Sequence, residues 1–356
     1  MKHCYKTLAL CAALSVTVGT AHAQTPPRYS VTDLGTLGGT ESAAAGINNL
    51  GQIVGGADTA KKGQGPEFIT NVFVWQNGRM RAVPGLDGSR AYVVAVNSRG
   101  QMAGAYSPQH LLAKFAAARF EPGGKARLIG SFPVKERGYS LSQADALNAK
   151  GQMAGVSNNQ AFFWDGAKLT KRLPPPGFRT SEARAINDSG QAAGKADRGP
   201  ATATHTRALF WAANGKVTDL GVLPGYTDSV GRAMNNRGQV VGWVSAAGTG
   251  AHRFAFRYQA FIWEKGRMRG LGSIPRIKDS KAAAINSKGQ VVGNAYYKSD
   301  EAALLWQGGK VYELNKLVPP GSGWKLQNAL GINDRGWIIG NGIHNSIRRG
   351  FVLKPR

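Results

Sequence analysis

Cysteine is almost absent from this chain. The two that occur, Cys4 and Cys11, stand in an N-terminal stretch with the order of a secretory signal peptide. Removal of that stretch on export leaves no thiol, which excludes disulfides, thiolate nucleophiles and cysteine-ligated metals from the mature protein. The fold must therefore be stabilised by a packed core.

The signal-peptide prediction rests on three features in order. Lys2 and Lys6 precede an apolar run from Leu8 to Val18, and Ala21-His22-Ala23 then forms a small-residue cleavage site, so the mature chain is expected to begin near Gln24. The run is far shorter than the roughly 20 residues of a membrane span. We predict residues 1–23 as signal peptide, residues 24–356 as one domain, and a secreted or periplasmic location.

Acidic residues are also scarce. The chain has 20 Asp and Glu against 45 Lys and Arg, a formal net charge of +25, which falls by two to +23 without Lys2 and Lys6. A surface this basic favours acidic partners such as nucleic acid, anionic polysaccharide or lipid headgroups.

Recognisable catalytic and metal motifs are missing as well. The sequence contains no HExxH, GxSxG, P-loop or EF-hand pattern. The four histidines outside the signal stretch are far apart and fall in different repeats, so we predict no metal and no cofactor. These are His110, His205, His252 and His344.

What the sequence does contain is a repeat. The pattern ΦNxxGQxxG, where Φ is apolar, occurs seven times, and only the last copy departs from it, with Trp337 in place of Gln. A period of tens of residues is typical of propellers and solenoids. The repeat asparagines are Asn48, Asn97, Asn148, Asn187, Asn235, Asn286 and Asn333, and the final glycines are Gly55, Gly104, Gly155, Gly194, Gly242, Gly293 and Gly340.

Each repeat predicts four short strands. A small-residue run such as 280–285 precedes the Asn, the GQxxG segment follows it, an aromatic segment such as Ala260-Phe261-Ile262-Trp263 comes next, and a segment such as Val217-Thr218-Asp219-Leu220 ends the unit. Asn and Gly favour tight turns between the first two strands and after the Trp. We name the four strands a, b, c and d in this order and predict a four-stranded propeller blade.

Distance decides which connection crosses between blades. Four strands about 4.8 Å apart place the outer edge roughly 14 Å from the inner edge, and in the third repeat only residues 156–159 separate strands b and c. The crossing must therefore join strand d to the next strand a, which places the Ala-rich strand a innermost. The segment 29–35 resembles an isolated strand d and the chain ends on a strand c, so the two should complete one blade. We predict a closed seven-bladed β-propeller in preference to an open solenoid, which would need capping repeats.

These motifs resemble those of the extracellular HAF-repeat proteins, over essentially the whole mature chain. The His of the His-Ala-Phe triplet is replaced here, with Gln160, Arg207, Gln259 and Arg349 in or near its place. The resemblance implies export and a repeat architecture and assigns no catalytic residue.

The predicted blade order separates two faces. The a–b and c–d turns share one, the turn face, and the b–c loops and blade crossings share the other, the loop face, whose variable loops make it the default binding site. Basic residues recur on the turn face. Those after the c–d turn, offered as a polyanion surface, are Arg79, Lys125, Lys168, Lys216, Arg267 and Lys310; those before the a–b turn glycine are Arg99, Lys150, Arg237, Lys288 and Arg335. A purely solvating role for these charges is an alternative.

The loop face holds the candidate catalytic residues. Glu41, Asp228 and Asp279 stand just ahead of serines that lie six residues before the repeat Asn, near the predicted axial mouth. Paired carboxylates there could act as general acid and base in polysaccharide cleavage, or simply start strands by bonding local backbone. The serines are Ser42, Ser142, Ser181, Ser229 and Ser280. The aromatic residues of strand c are predicted to form core between blades.

Three hypotheses for function follow. The first is an exported, non-catalytic, monomeric scaffold that binds an extended acidic partner, an envelope or extracellular polysaccharide. The second is a polysaccharide hydrolase or lyase that uses Glu41, Asp228 and Asp279. The third is a structural or adhesive module with a protein partner.

Overall fold

The computed structural model describes residues 26–60, 71–84, 90–107, 115–133, 141–199, 205–247, 256–297 and 300–356. Within these ranges 28 strands form seven four-stranded antiparallel sheets, each with its strands in the order of the chain except at the closure. The molecule is a seven-bladed β-propeller, as predicted. The first 25 residues, and with them the predicted signal peptide, lie outside the described ranges.

The strands are as follows. β1 (Tyr29–Asp33) precedes blade 1, which contains β2 (Gly38–Ile47), β3 (Ile53–Thr59), β4 (Asn71–Gln76) and β5 (Arg79–Ala82). Blade 2 contains β6 (Arg90–Val96), β7 (Met102–Ser107), β8 (Ala116–Phe120) and β9 (Ala126–Leu128). Blade 3 contains β10 (Ser142–Leu147), β11 (Met153–Ser157), β12 (Gln160–Trp164) and β13 (Leu169–Lys171). Blade 4 contains β14 (Phe178–Ile186), β15 (Ala192–Arg198), β16 (His205–Trp211) and β17 (Val217–Asp219).

The remaining blades follow the same plan. Blade 5 contains β18 (Asp228–Met234), β19 (Val240–Ala247), β20 (Phe256–Glu264) and β21 (Arg267–Gly270). Blade 6 contains β22 (Asp279–Ile285), β23 (Val291–Tyr297), β24 (Asp300–Gln307) and β25 (Lys310–Glu313), and a short 3-10 turn, Leu314–Lys316, follows it. Blade 7 contains β26 (Trp324–Ile332), β27 (Ile338–His344) and β28 (Ile347–Pro355).

The ring is closed by the N-terminal strand. β1 pairs antiparallel with β28, from Tyr29 opposite Pro355 to Asp33 opposite Phe351, and supplies the strand d that blade 7 lacks. Around the ring each strand a contacts the strand a of the next blade, including β26 with β2. Both the predicted strand order and the predicted closure are therefore confirmed.

Strand lengths were predicted less well. The sequence predicts only short strands, whereas β2 has ten residues and β14, β20, β26 and β28 have nine. The additional residues lie at the loop-face ends, where strands a begin before the motif and paired strands b and c continue past it into segments expected to be loops. In the third blade the b–c connection is a two-residue turn, with Asn158 at φ 48° and Asn159 at φ 63°, the conformation of the hairpin turns that match strand twist.

The core lies between blades rather than inside one. Phe73 and Trp75 of blade 1, for example, are buried against Ile339 and Val352 of blade 7. The Phe and Trp of strand c are thus inter-blade core, as predicted, because a single four-stranded blade cannot bury both faces by itself. In the described parts of the chain no helix is long and apolar enough to cross a bilayer.

Candidate functional site

The turn-face end of the axis is organised by the repeat asparagines, all seven of which are buried. Each donates a side-chain Nδ2–H to the backbone carbonyl of the corresponding Asn in the next blade, at 2.8 to 3.4 Å, and Asn333 donates to Asn48, so that the bonds close a ring. The sequence assigned these residues to turns only. The structure adds a second role, because each one also fastens its blade to the next.

The same side chains shape the turns. Each Asn Oδ1 accepts two backbone N–H groups, from the second and fourth residues that follow, at 2.9 to 3.2 Å. The turn glycines, Gly51 in blade 1 and its equivalents, have φ between 74° and 82°, which a side chain would strain. Asn and Gly are therefore required by the turn, as the sequence indicated.

The repeat Gln, whose role the sequence left unassigned, completes the Asn. In six blades its Oε1 accepts the second Nδ2–H of the Asn at 2.6 to 2.9 Å. The Asn amide then uses both donors and both lone pairs, as a buried amide must if it is not to destabilise the fold. Trp337 cannot accept this bond, so in blade 7 the Asn333 amide has one side-chain partner fewer.

A cavity of about 290 Å³ lies on the axis inside this ring. In six repeats three residues line it: the apolar residue before the Asn, the Asn itself, and the residue after it; in the seventh, Ile332 and Asp334 line it. The apolar layer consists of Ile47, Val96, Leu147, Ile186, Met234, Ile285 and Ile332. At its mouth the lining includes Asp188 and Asp334, each held by a reciprocal pair of hydrogen bonds, to Asn236 and Asn49 respectively. The volume is at the lower edge of the range typical of small-ligand sites.

Basic residues surround this cavity in two rings. All six residues predicted as a polyanion surface are exposed and lie at or just before the start of strand d, on the turn face: Arg79, Lys125, Lys168, Lys216, Arg267 and Lys310. The inner ring, Arg99, Lys150, Arg237, Lys288 and Arg335, is exposed as well. Among the described residues none of these eleven has an acid within ion-pair distance.

A β-bulge interrupts strand a at the same place in every blade. The pairing of strands a and b skips the residue three before the Asn, and that residue is at least partly exposed although its strand is innermost. A bulge turns a side chain out of the sheet, here toward the axial channel. The seven bulge residues are Ala45, Val94, Asp145, Arg184, Arg232, Ala283 and Leu330.

The final glycine of the motif makes room for the bulge. In all seven copies a Cβ on this glycine would lie 1.9 to 2.1 Å from a strand a carbonyl oxygen, that of Tyr92 in the case of Gly104. No side chain fits there, so the repeated glycine and the repeated bulge are two halves of one feature.

Charged bulge residues occur only in blades 3, 4 and 5. Asp145 interacts electrostatically with Arg184 and also with Arg232, although blade 4 separates β10 from β18. Side chains two blades apart approach each other only across the axis. Asp145 accepts a hydrogen bond from Gln143 at 3.0 Å, and Gln143 accepts one from the Tyr92 hydroxyl, also at 3.0 Å.

The surrounding protein shifts the pKa values of Asp145, Arg232 and Tyr92. Burial of the carboxyl raises the pKa of Asp145 to about 6; Arg184, Arg232 and the hydrogen bond from Gln143 oppose the rise, and Glu182 adds to it. Burial lowers the pKa of Arg232, and the nearby Arg184 lowers it further. Burial together with Asp145 raises the pKa of Tyr92 to about 12. A carboxyl with a shifted pKa near two guanidiniums in a channel is typical of functional sites.

Sequence reasoning missed this cluster. The sequence predicts strand a as a small-residue strand and places the candidate catalytic residues at its loop-face end. The available signal was disagreement among the seven copies, because Asp145, Arg184 and Arg232 occupy a position that holds Ala, Val or Leu in the other four.

The loop-face candidates lie at the start of strand a, and two of them bond local backbone. Asp228 accepts the backbone N–H of Thr206 at 2.6 Å, and Asp279 accepts that of Tyr258 at 2.8 Å, in each case from strand c of the preceding blade. Glu41 is exposed. Among the described residues, none of these three acids belongs to a group of three or more His, Asp or Glu side chains that could hold a metal ion.

The five serines are buried links between blades. Ser229 accepts the Ala208 N–H of the preceding strand c at 2.9 Å and donates to the Gly221 carbonyl at 2.6 Å. Ser142, Ser181 and Ser280 make the equivalent pair of bonds, and Ser42 accepts the Gly350 N–H. Like the asparagines, they serve the architecture.

The described histidines have separate surroundings. His344 Nδ1 lies 2.8 Å from Asp33 Oδ2 and its ring stacks on Trp324, whereas His205 Nδ1 lies 3.9 Å from Asp228 Oδ1 in another blade. His110 and His252 lie outside the described residues.

Comparison with known proteins supports the fold and nothing narrower. No protein-family model and no curated protein matches the sequence. Among solved structures, the β-propeller domain of the Trilobed protease from Pyrococcus furiosus is similar, with a TM-score of 0.55 and 9% identity over 92% of this chain and 95% of that one. Dipeptidyl peptidase 4 from Porphyromonas gingivalis gives a TM-score of 0.48 and 9% identity over 90% of this chain and 53% of that one. The Pyrococcus domain is described as having an open velcro topology, whereas β1 closes the ring here.

Proposed function

We propose that the protein is an exported, non-catalytic scaffold that binds an extended acidic polysaccharide of the envelope or extracellular space across its turn face. The observation that carries the proposal is the pair of concentric rings of exposed basic residues, eleven in all, none of them in an ion pair with an acid among the described residues. Unpaired charges on one face produce a field that attracts and orients a polyanion.

The shape of the face agrees with an extended partner. The outer ring follows the c–d turns of six blades, and the inner ring follows the a–b turns around the axial cavity. A polymer lying across the face would meet several cations at once, each with little affinity by itself. Binding of this kind is multivalent and weakens steeply with salt.

The test compares two triple variants of equal charge. The first removes outer-ring cations through Arg79→Gln, Lys168→Gln and Lys310→Gln; the second removes exposed loop-face cations through Arg179→Gln, Lys278→Gln and Lys325→Gln. Binding of the purified protein to immobilised alginate, a polyuronate, is measured at several salt concentrations. We expect wild-type affinity to fall with salt, the first variant to bind weakly with a shallower salt dependence, and the second to resemble wild type.

Two results would contradict the proposal. Equal loss in both variants would mean that only net charge matters, and the absence of binding to alginate at low salt would remove the polysaccharide altogether. Duplex DNA serves as a competitor, and stronger binding to DNA than to alginate would transfer the assignment to nucleic acid. The rival hypothesis, a hydrolase or lyase, is tested with the double variant Asp228→Asn plus Asp279→Asn. If the protein is a scaffold, this variant should bind alginate as the wild type does and should leave the length of the alginate chains unchanged.

A further inference from the structure

Charge at the bulge position is confined to one side of the ring. The bulge residues of blades 1, 2, 6 and 7 are apolar, and those of blades 3, 4 and 5 are Asp145, Arg184 and Arg232. Each lies two residues before the apolar residue that lines the axial cavity, for instance Arg232 before Met234. The charged cluster therefore lies about 6 Å further along the channel.

Arg184 has partners that fix it in place. Its guanidinium donates to Glu182 at 2.8 Å and 3.1 Å, and Lys195 lies 3.3 Å from the other oxygen of the same carboxylate. Lys195 in turn lies 3.2 Å from Asp197. These two cations and two acids compensate each other.

Arg232 differs from Arg184 in this respect. In the ranges that the structure describes, its guanidinium donates no hydrogen bond and has no acid within ion-pair distance, although protein surrounds it closely enough to perturb its pKa. A guanidinium has five N–H donors in a planar fork that matches the oxygens of a carboxylate, sulfate or phosphate. The side chain of Arg232 is exposed to the channel, so these donors are open to a ligand, and a bound oxyanion pairs a charge that the described protein leaves without an ion pair.

We propose that the axial channel binds a small oxyanion, such as sulfate or the carboxylate of a sugar acid, on the guanidinium of Arg232, with Arg184 as the neighbouring cation, and that the ligand enters through the turn-face cavity. This site is separate from the basic rings, because the polymer of the proposed function lies across the face whereas this ligand lies inside the channel. Failure of one proposal leaves the other standing.

Asp145 gives the site a dependence on pH. The groups that face it are Gln143 on its own strand, Glu182 and Arg184 on β14, Arg232 on β18 and, through Gln143, Tyr92 on β6. Its carboxylate competes with a bound anion for the guanidiniums and repels it. Because its pKa is about 6, protonation between pH 7.5 and pH 5 removes that charge and strengthens binding.

The experiment is calorimetric titration of the mature protein with sodium sulfate at pH 5.0, 6.0 and 7.5, with chloride holding the ionic strength constant. Sulfate keeps its charge over this range, so a pH effect reports the protein. We expect one site, with affinity severalfold higher at pH 5.0 than at pH 7.5. Arg232→Gln should weaken it at least tenfold, and Asp145→Asn should bind at pH 7.5 as the wild type does at pH 5.0.

Arg179→Gln is the matched control, because it removes one exposed cation of the loop face, outside the basic rings, and should leave sulfate affinity unchanged. Arg232→Lys keeps the charge but loses the planar fork, so it should bind sulfate at intermediate strength. It is the second variant in case Arg232→Gln does not fold. Glucuronate in place of sulfate tests the carboxylate form of the ligand and should show the same dependence on Arg232. The proposal is overturned by sulfate affinity that does not respond to Arg232→Gln, by equal losses in Arg232→Gln and Arg179→Gln, or by a pH response that persists in Asp145→Asn.

Discussion

The hydrogen-bonded Asn ring can be tested by changing one atom. In Asn97→Asp the side chain keeps its shape and keeps the Oδ1 that accepts the N–H groups of Arg99 and Gln101, at 3.1 Å each. It loses both Nδ2 donors, which bond Gln101 Oε1 at 2.9 Å and the Asn148 carbonyl at 3.1 Å. The turn within blade 2 is preserved, and the connection to blade 3 is removed.

The expected size follows from burial. Asn97 is 5% exposed, and a buried acceptor that loses its donor costs roughly 1–3 kcal/mol. Two such acceptors now face a carboxylate instead of an amide, so we expect Asn97→Asp to lower the free energy of unfolding by about 3–5 kcal/mol at pH 7. Protonation of the new carboxyl restores one donor, so the loss should shrink as the pH falls to 4.

Urea unfolding, followed by tryptophan fluorescence, measures this loss, and two other asparagines calibrate it. Asn77→Asp changes an exposed turn residue with φ 52° and should alter the stability by less than about 0.5 kcal/mol. Asn333→Asp should cost less than Asn97→Asp, because Trp337 leaves the Asn333 amide with one side-chain acceptor fewer. Equal stability of Asn97→Asp and Asn77→Asp would refute the view that the amide donors hold neighbouring blades together.

Four further changes test other parts of the fold by the same urea measurement. Gly104→Ala places a Cβ 1.9 Å from the Tyr92 carbonyl oxygen and should cost more than about 2 kcal/mol, whereas Gly123→Ala, with no atom within 4 Å, should be neutral; equal values would contradict the account of the bulge. Ser229→Ala leaves the Ala208 N–H and the Gly221 carbonyl without a partner and should cost about 1–3 kcal/mol, against little change for the exposed Ser189→Ala; no difference between them would show that Ser229 does not link blades. Tyr29→Ala empties a buried site in the closing strand and should cost roughly 3–5 kcal/mol, more than Ser30→Ala on the same strand; an unchanged midpoint would mean that β1 does not close the ring. Burial raises the pKa of Asp145 from 3.8 to about 6, so its contribution to stability is present below about pH 4 and lost as the pH rises through 6; Asp145→Asn should therefore exceed the wild type by roughly 1–2 kcal/mol at pH 7.5, a gap that closes near pH 4.

The architecture could be predicted from the sequence because it is repeated. Seven copies of a pattern with Asn and Gly at turn positions fix the strand order, and the 29–35 segment fixes the closure, since both depend on local chain geometry. Inter-blade bonds could not be predicted in the same way. That Asn97 donates to Asn148, or Ser229 accepts from Ala208, depends on the angle between blades, which no local pattern encodes.

The candidate site was harder to predict for a related reason. Alternation along strand a says which residues leave the sheet only if pairing is regular, and the bulge at Asp145, Arg184 and Arg232 changes that alternation by one residue. The bulge exists because Gly155, Gly194 and Gly242 admit a carbonyl where a side chain would be. The sequence pattern presents these glycines as ordinary strand residues, so it does not predict the bulge.

Ring closure explains why some positions of the repeat are the same in every blade while others differ. A ring of seven blades closes when the angles between neighbouring blades add up to a full turn. Blades with the same Asn and the same bulge glycine divide that turn equally, which favours the same residues at these positions in every copy. The bulge residue projects into the channel and does not pair with strand b, so it is free of that constraint and can differ from blade to blade. Because the bulge occurs in all seven blades, a substitution there alters the chemistry of the channel without altering the ring. The function that distinguishes one such propeller from another is therefore expected at these seven channel positions and on the two faces. In this chain, three of the seven positions carry charged residues: Asp145, Arg184 and Arg232.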